Sequence, residues 1–132
     1  MITLTLAQQL KTAGLRWHPQ EHHFFAVPDR EMDERVFVIS DMSVLVEVLQ
    51  GWPAITFNGS VEWALDYVLE MEAVWLPTTD QLIPALGQAF VRLERRGEQF
   101  VCAIRWGEAL SEYAAANSAD ACALALLSIL NG

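Results

Sequence analysis

Lysine occurs once in 132 residues, at Lys11, and only eight basic side chains stand against 17 acidic ones, for a formal charge of −9. A nucleic-acid binder has to neutralise phosphates, so this balance excludes nucleic acid as the default partner. Cysteine is nearly as scarce, with Cys102 and Cys122 alone and no Cys-x-x-Cys spacing. That removes zinc ribbons and thioredoxin-like sites. Each cysteine sits in an apolar run, Phe-Val-Cys-Ala-Ile and Ala-Cys-Ala-Leu, where it reads as a small buried hydrophobe without the electropositive setting of a nucleophile. The N-terminus has no early positive charge or long apolar core, so no signal peptide is expected. The most apolar stretch, Ala119 to Leu130, is broken by Asp120 and Ser128 and is short of the ~20 residues that span a bilayer. A reducing, cytoplasmic setting without a membrane partner follows as the expectation.

Catalytic signatures are missing too. There is no Gly-x-Ser-x-Gly elbow and no Gly-rich phosphate loop ending in lysine. No cofactor is called for.

Against these absences stands a hydrophobic fraction of 53%, the opposite of a disordered acidic tail. One domain over residues 1–132 is expected, with no repeat or linker to divide it. Thr5 and Gln8 have capping-box spacing, and Leu6, Leu10 and Ala13 continue a short helix to Gly14. Leu15-Arg16-Trp17, Phe24 to Val27 and Arg35 to Ile39 read as strands. Beyond Asp41 the residues through Leu49 fit a helix or, by alternation of Val44, Val46 and Val48, a strand. Ala54 to Phe57 reads as a strand ending at the turn dipeptide Asn58-Gly59. From Ser60 a helix is expected, with Val61, Leu65, Val68 and Leu69 on one face. Ala73 to Leu76 is a further strand.

Thr78 and Gln81 form a second capping box, and Pro84 predicts a short or kinked helix closing near Gly87. Val91 and Leu93, then Phe100, Cys102, Ile104 and Trp106, alternate about Arg95-Arg96-Gly97-Glu98. That predicts a hairpin, with one long helix to Arg96 as the alternative. Ala109 to Ala115 reads as a third strand, and Ser118 as the cap of a last helix burying Ala121, Leu124, Leu127 and Ile129 or Leu130. The fold class is α+β: a mainly antiparallel sheet with helices packed against it and a C-terminal part ordered α-β-β-β-α.

The residues Gly14-Leu15-Arg16-Trp17-His18-Pro19, Thr56-Phe57-Asn58-Gly59 with Glu62-Trp63-Ala64-Leu65-Asp66-Tyr67, and Val74-Trp75-Leu76-Pro77 together resemble a pattern of small uncharacterised bacterial proteins. The ending, a strand followed by Asn117-Ser118-Ala119-Asp120-Ala121 and Ala123 to Leu127, is similar to the C-terminal helix of phage-related α+β sandwich domains. The resemblance implies the fold class and brings no catalytic residue with it.

Three groups of residues are candidates for function. His18, His22 and His23 form an H-x-x-x-H-H cluster with Glu21 and Asp29 nearby, and imidazole is the commonest metal ligand. Pro19 opposes the helix that would align the first two, and the plain alternative is a set of solvated loop histidines. Glu62, Asp66 and Glu70 stand at i, i+4 and i+8, flanked by Trp63 and Tyr67. Like charges at that spacing cost roughly 0.2–0.5 kcal/mol per pair, so the stripe is not there for helix stability. It reads as a docking face for a basic partner or as an ordinary solvated face. Arg92, Arg95 and Arg96 form the one basic spot, interleaved with Glu94 and Glu98. Of the five tryptophans, Trp75 and Trp106 are expected in the core, and Trp52 and Trp63 at the surface.

The leading expectation is a non-catalytic protein that works through protein–protein contact, self-associating through a sheet edge or an apolar face. The alternative is a small ligand- or metal-binding domain, a hydrolytic one included, using the three histidines. Acidic mimicry of nucleic-acid charge is a third reading. The acidity is local: residues 41–91 carry seven acids and no base, while 1–40 and 92–132 each carry five acids and four bases.

Overall fold

The computed structural model describes residues 1–28, 32–39, 44–49, 52–57, 67–69 and 72–132, with backbone alone for 32–35, 44–49, 52–57 and 67–69. The fold is α+β, and the chain divides into two compact units, Trp17–Trp75 and Met1–Arg16 with Leu76–Gly132. Among the described residues no helix is long and apolar enough to cross a membrane.

In the second of these units, helix α1 (Leu4–Thr12) starts two residues earlier than the Thr5 box implies, with Thr3 as its N-cap. The cause is distant in sequence: the Thr3 backbone N–H donates to Asp120 Oδ1 at 2.8 Å, which pins the first turn. Gly14, at φ +107°, ends the helix as expected, and the Leu15 N–H returns to the Leu10 carbonyl. Leu15 to Trp17 is not a strand. Helix α2 (Thr79–Leu86) opens on the Thr78–Gln81 capping box, where the Thr78 N–H donates to Gln81 Oε1 at 2.9 Å. With Pro84 inside it, α2 gives way after eight residues to a 3-10 turn over Gly87–Ala89.

Three antiparallel strands follow, β7 (Phe90–Arg96), β8 (Gln99–Trp106) and β9 (Ala109–Ala115), in the order β7-β8-β9. The hairpin reading thus holds over the long helix to Arg96. Both connections are the dipeptide Gly-Glu, with Gly97 at φ +66° and Gly107 at φ +67° and a non-positive φ at each glutamate, as a type II′ turn requires. Helix α3 (Ser118–Asn131) is capped by Asn117, whose side chain accepts the Asp120 N–H at 2.9 Å, one residue before the expected Ser118.

α3 packs on β8 and β9 and is flanked by α1 and α2, so it is covered from several sides. Its most buried residues are accordingly Ala119, Ala121, Cys122, Ala123, Ala125 and Leu126, whereas Leu124, Leu127, Ile129 and Leu130 are half-buried. Leu10, Leu82 and Ile104 are fully enclosed, each contributing roughly 1.5–3 kcal/mol through burial. Trp106, expected in the core, stands 56% exposed at the end of β8.

In the 17–75 unit, β1 (Phe24–Val27) lies between β2 (Met32–Val38) and β6 (Val74–Leu76). β1 and β2 are antiparallel, pairing Phe24 with Val38 and Phe25 with Phe37. Phe25, Val27, Phe37, Ile39 and Ala73 form the core of this sheet, with Trp17 packed against it. A second sheet runs β3 (Val44–Leu49), β4 (Trp52–Phe57) and β5 (Tyr67–Leu69), antiparallel throughout. The ambiguous segment beyond Asp41 is therefore a strand from Val44. The helix expected from Ser60 does not reach its predicted end, because Tyr67–Leu69 is extended and pairs with Ala54 to Thr56 of β4. Ladder pairing overrides helical periodicity there, in a segment where Tyr67 and Val68 also suit a strand. The rest of that helix, 60–66, lies outside the described residues.

Candidate functional site

Of the acidic stripe, Glu62, Asp66 and Glu70 lie outside the described residues, as does Trp63. Tyr67 enters as the first residue of β5, its backbone opposite Thr56.

The histidines are placed by backbone clamps. The His22 N–H donates to the Ile39 carbonyl at 2.7 Å, and the Ile39 N–H to the His23 carbonyl at 2.9 Å, which continues the β1–β2 ladder past the strand ends. His22 takes φ +71°, an uncommon value for a residue with a Cβ, to make the turn. His18 and His22 are exposed, while His23 is half-buried among aromatic rings. Trp17 Nε1 donates to His23 Nδ1 at 3.0 Å, and Trp75 stacks on the imidazole at 5.3 Å and 24°. Trp17 also meets Phe25 at 5.5 Å, and Phe25 meets Phe37 at 5.4 Å.

An imidazole that accepts at Nδ1 carries its proton on Nε2, so Nδ1 is committed to Trp17. Burial holds the His23 pKa below the ordinary histidine value, which favours the neutral ring that this bond needs. Among the described residues, Glu21 included, no group of three or more His, Cys, Asp or Glu is placed to hold a metal ion. Asp29 lies outside the described residues.

The basic spot resolves into an ion-pair ladder. Arg92 of β7, Ala103 of β8 and Glu112 of β9 share one row across the sheet. The central methyl is small enough for Arg92 Nη2 to reach Glu112 Oε2 over it at 2.6 Å. Arg96 reaches the same carboxylate with Nη1 and Nη2, at 3.2 and 3.1 Å, and also pairs with Glu94. The hydrogen bond from Arg96 is the largest cause that holds the Glu112 carboxyl below its ordinary pKa, and the two acids raise that of Arg96. Beneath these side chains Val101 and Ala103 are buried.

The two edges of this sheet are unlike. β7 carries a bulge between Phe90 and Arg92 and three arginines, all features that blunt edge pairing. β9 keeps an unbroken register with β8 over seven residues, and its single charge, Glu112, is turned inward to the arginines. Along it Leu110 is 49% exposed and Ala114 is exposed on the same side as Glu112, with Trp106 across the adjoining turn. Sequence reading named the arginines but missed Glu112 as their shared partner. Alternation of Arg92, Glu94 and Arg96 signalled the face, while the partner 20 residues on is visible only through register.

Two open clefts in the same unit offer little chemistry. One of about 410 Å³ is lined by Thr5, Gln8, Gln9, Thr12, Ala13, Leu127 and Asn131, without an ionisable side chain. One of about 350 Å³ between Pro77, Thr79 and Ala119 has Asp80 as its one acidic side chain. No family model matches the chain, and no curated protein or solved structure matches it.

Proposed function

We propose that this protein is non-catalytic and acts by protein–protein contact, self-associating through the edge of β9 in a reducing, cytoplasmic setting. The observation that carries this reading is the contrast between the two edges of one sheet. A long, regular edge strand with a single charged side chain leaves a row of backbone donors and acceptors ready to pair with another chain. Leu110 adds exposed apolar surface beside that row. The ladder supports the same reading, because Glu112 is already neutralised by Arg92 and Arg96 and does not repel a second strand.

Sedimentation velocity over a concentration series tests it. Wild-type protein is expected to populate a dimer, and Leu110→Lys and Ala114→Lys, which place charge on the pairing edge, are expected to return it to monomer with unchanged circular dichroism. A wild-type protein that stays monomeric at its highest soluble concentration overturns the reading. So does a dimer indifferent to both substitutions.

A further inference from the structure

His23 joins the two ends of the 17–75 unit. Trp17 and Trp75 are its first and last residues, so the chain enters this unit at one indole and leaves it at the other. Trp17 Nε1 donates to His23 Nδ1 at 3.0 Å, and the Trp75 indole stacks on the imidazole with centroids 5.3 Å apart. Trp75 Nε1 is enclosed and has no acceptor among the described residues, so Trp75 brings a stacking face to the ring and no hydrogen bond.

The two tryptophans are fastened unequally. Trp75 lies in β6, which pairs with β1. Trp17 has no strand to hold it: among the described residues, no backbone N–H of residues 16–21 donates to a backbone carbonyl. Its side chain fastens this entry segment, through the bond to His23 and the ring contact with Phe25 at 5.5 Å.

Protonation of His23 acts oppositely on the two partners. A protonated Nδ1 is a donor and cannot accept from Trp17 Nε1, so that bond is lost and two N–H groups confront each other. A cationic ring within about 6 Å of an indole face is attracted to it, so the Trp75 stack is kept. Neither β6 nor the end of β2 beside His23, Phe37 and Val38, carries a titratable side chain; those of the adjoining segments are Arg16, His18, Glu21, His22 and Glu72. Burial lowers the His23 pKa, which places the change below pH ~6.5.

We propose that His23 is a pH-operated clasp: the neutral ring binds the entry and exit of the 17–75 unit together, and the protonated ring releases Trp17 while keeping Trp75. The outcome is an entry segment, residues 16–21, freed under mildly acidic conditions while the β1–β2 ladder stays paired. This inference is independent of the β9 edge.

The test follows the indole N–H and histidine ring signals of the intact chain by NMR from pH 8 to pH 5, with EDTA present. At pH 8 the His23 proton is expected on Nε2, with nuclear Overhauser contacts from the ring to both Trp17 and Trp75. As His23 titrates, the Trp17 indole signal is expected to move with the same midpoint and to lose its contact to the ring, while the Trp75 contact persists. In His23→Gln the Trp17 signal is expected to stay in place, and in His18→Gln and His22→Gln to move as in wild type. Should His23→Gln fail to fold, the wild-type titration decides alone. A Trp17 signal indifferent to the His23 titration, a proton on Nδ1 at pH 8, loss of the Trp75 contact, or unfolding of the whole unit in one step would each overturn the proposal.

Discussion

Asp120 offers the sharpest test of how the unit containing α1 and α3 is held together. The residue is 7% exposed, and its carboxylate serves two helix starts at once. Oδ1 accepts the Thr3 N–H at the N-cap of α1, and Oδ2 accepts Asn117 Nδ2 at 3.1 Å beside the first turn of α3. A hydrogen bond to a charged group is worth about 1.5–3 kcal/mol, and an acid in a helix first turn adds about 0.3–1 kcal/mol. Asp120→Ala removes both and leaves the part-buried Thr3 N–H without its protein acceptor, so a loss of roughly 2–4 kcal/mol is expected. For a chain of this length that corresponds to a fall in Tm of roughly 10 °C. Asp120→Asn keeps one neutral acceptor and is expected to lose about half as much. Urea unfolding followed by circular dichroism gives the stability change, and amide exchange at Thr3 locates it. A loss below about 1 kcal/mol for Asp120→Ala, with Thr3 still protected, would refute the claim that this carboxylate sets the start of α1.

The aromatic setting of His23 predicts a pH dependence. Its pKa is lowered on folding, so the unfolded chain binds more protons in the window just below the ordinary histidine value. The stabilisation is present above pH ~6.5 and is lost as pH falls through the folded value. His23→Gln, which keeps an acceptor for Trp17 but does not titrate, is expected to flatten this part of the profile; an unchanged slope would count against it. At Gly97 and Gly107 an added Cβ would meet nothing within 4 Å, yet both residues have positive φ. Gly97→Ala and Gly107→Ala are therefore each expected to cost about 1 kcal/mol from backbone conformation alone, measured by urea unfolding, and a neutral result would contradict the turn assignment.

Residues 78–118 are nearly all legible in the amino-acid order. The Thr78–Gln81 box, the stop near Gly87, the Gly97-Glu98 turn and the alternation through Trp106 each act within about four residues, and the structure keeps all of them. The candidate site is less legible. The histidines suggest a ligand set, yet His23 is engaged by Trp17 and Trp75, one of them more than 50 residues away. The arginines are visible as a cluster, while their common acceptor Glu112 is joined to them only by strand register.

The division follows the range of the forces. Turn chemistry, capping spacing and period-two alternation are local, so the amino-acid order alone pointed to the α-β-β-β-α run, with one long helix to Arg96 as its alternative, and determined the scarcity of basic side chains for phosphates. Tertiary structure decided what local energies leave nearly balanced. It set the start of α1 at Thr3 through Asp120 and drew Tyr67–Leu69 into a ladder with β4. It also made one sheet edge regular and the other bulged. Each of these depends on a partner remote in the chain, whose contribution exists only once the fold has brought the two together.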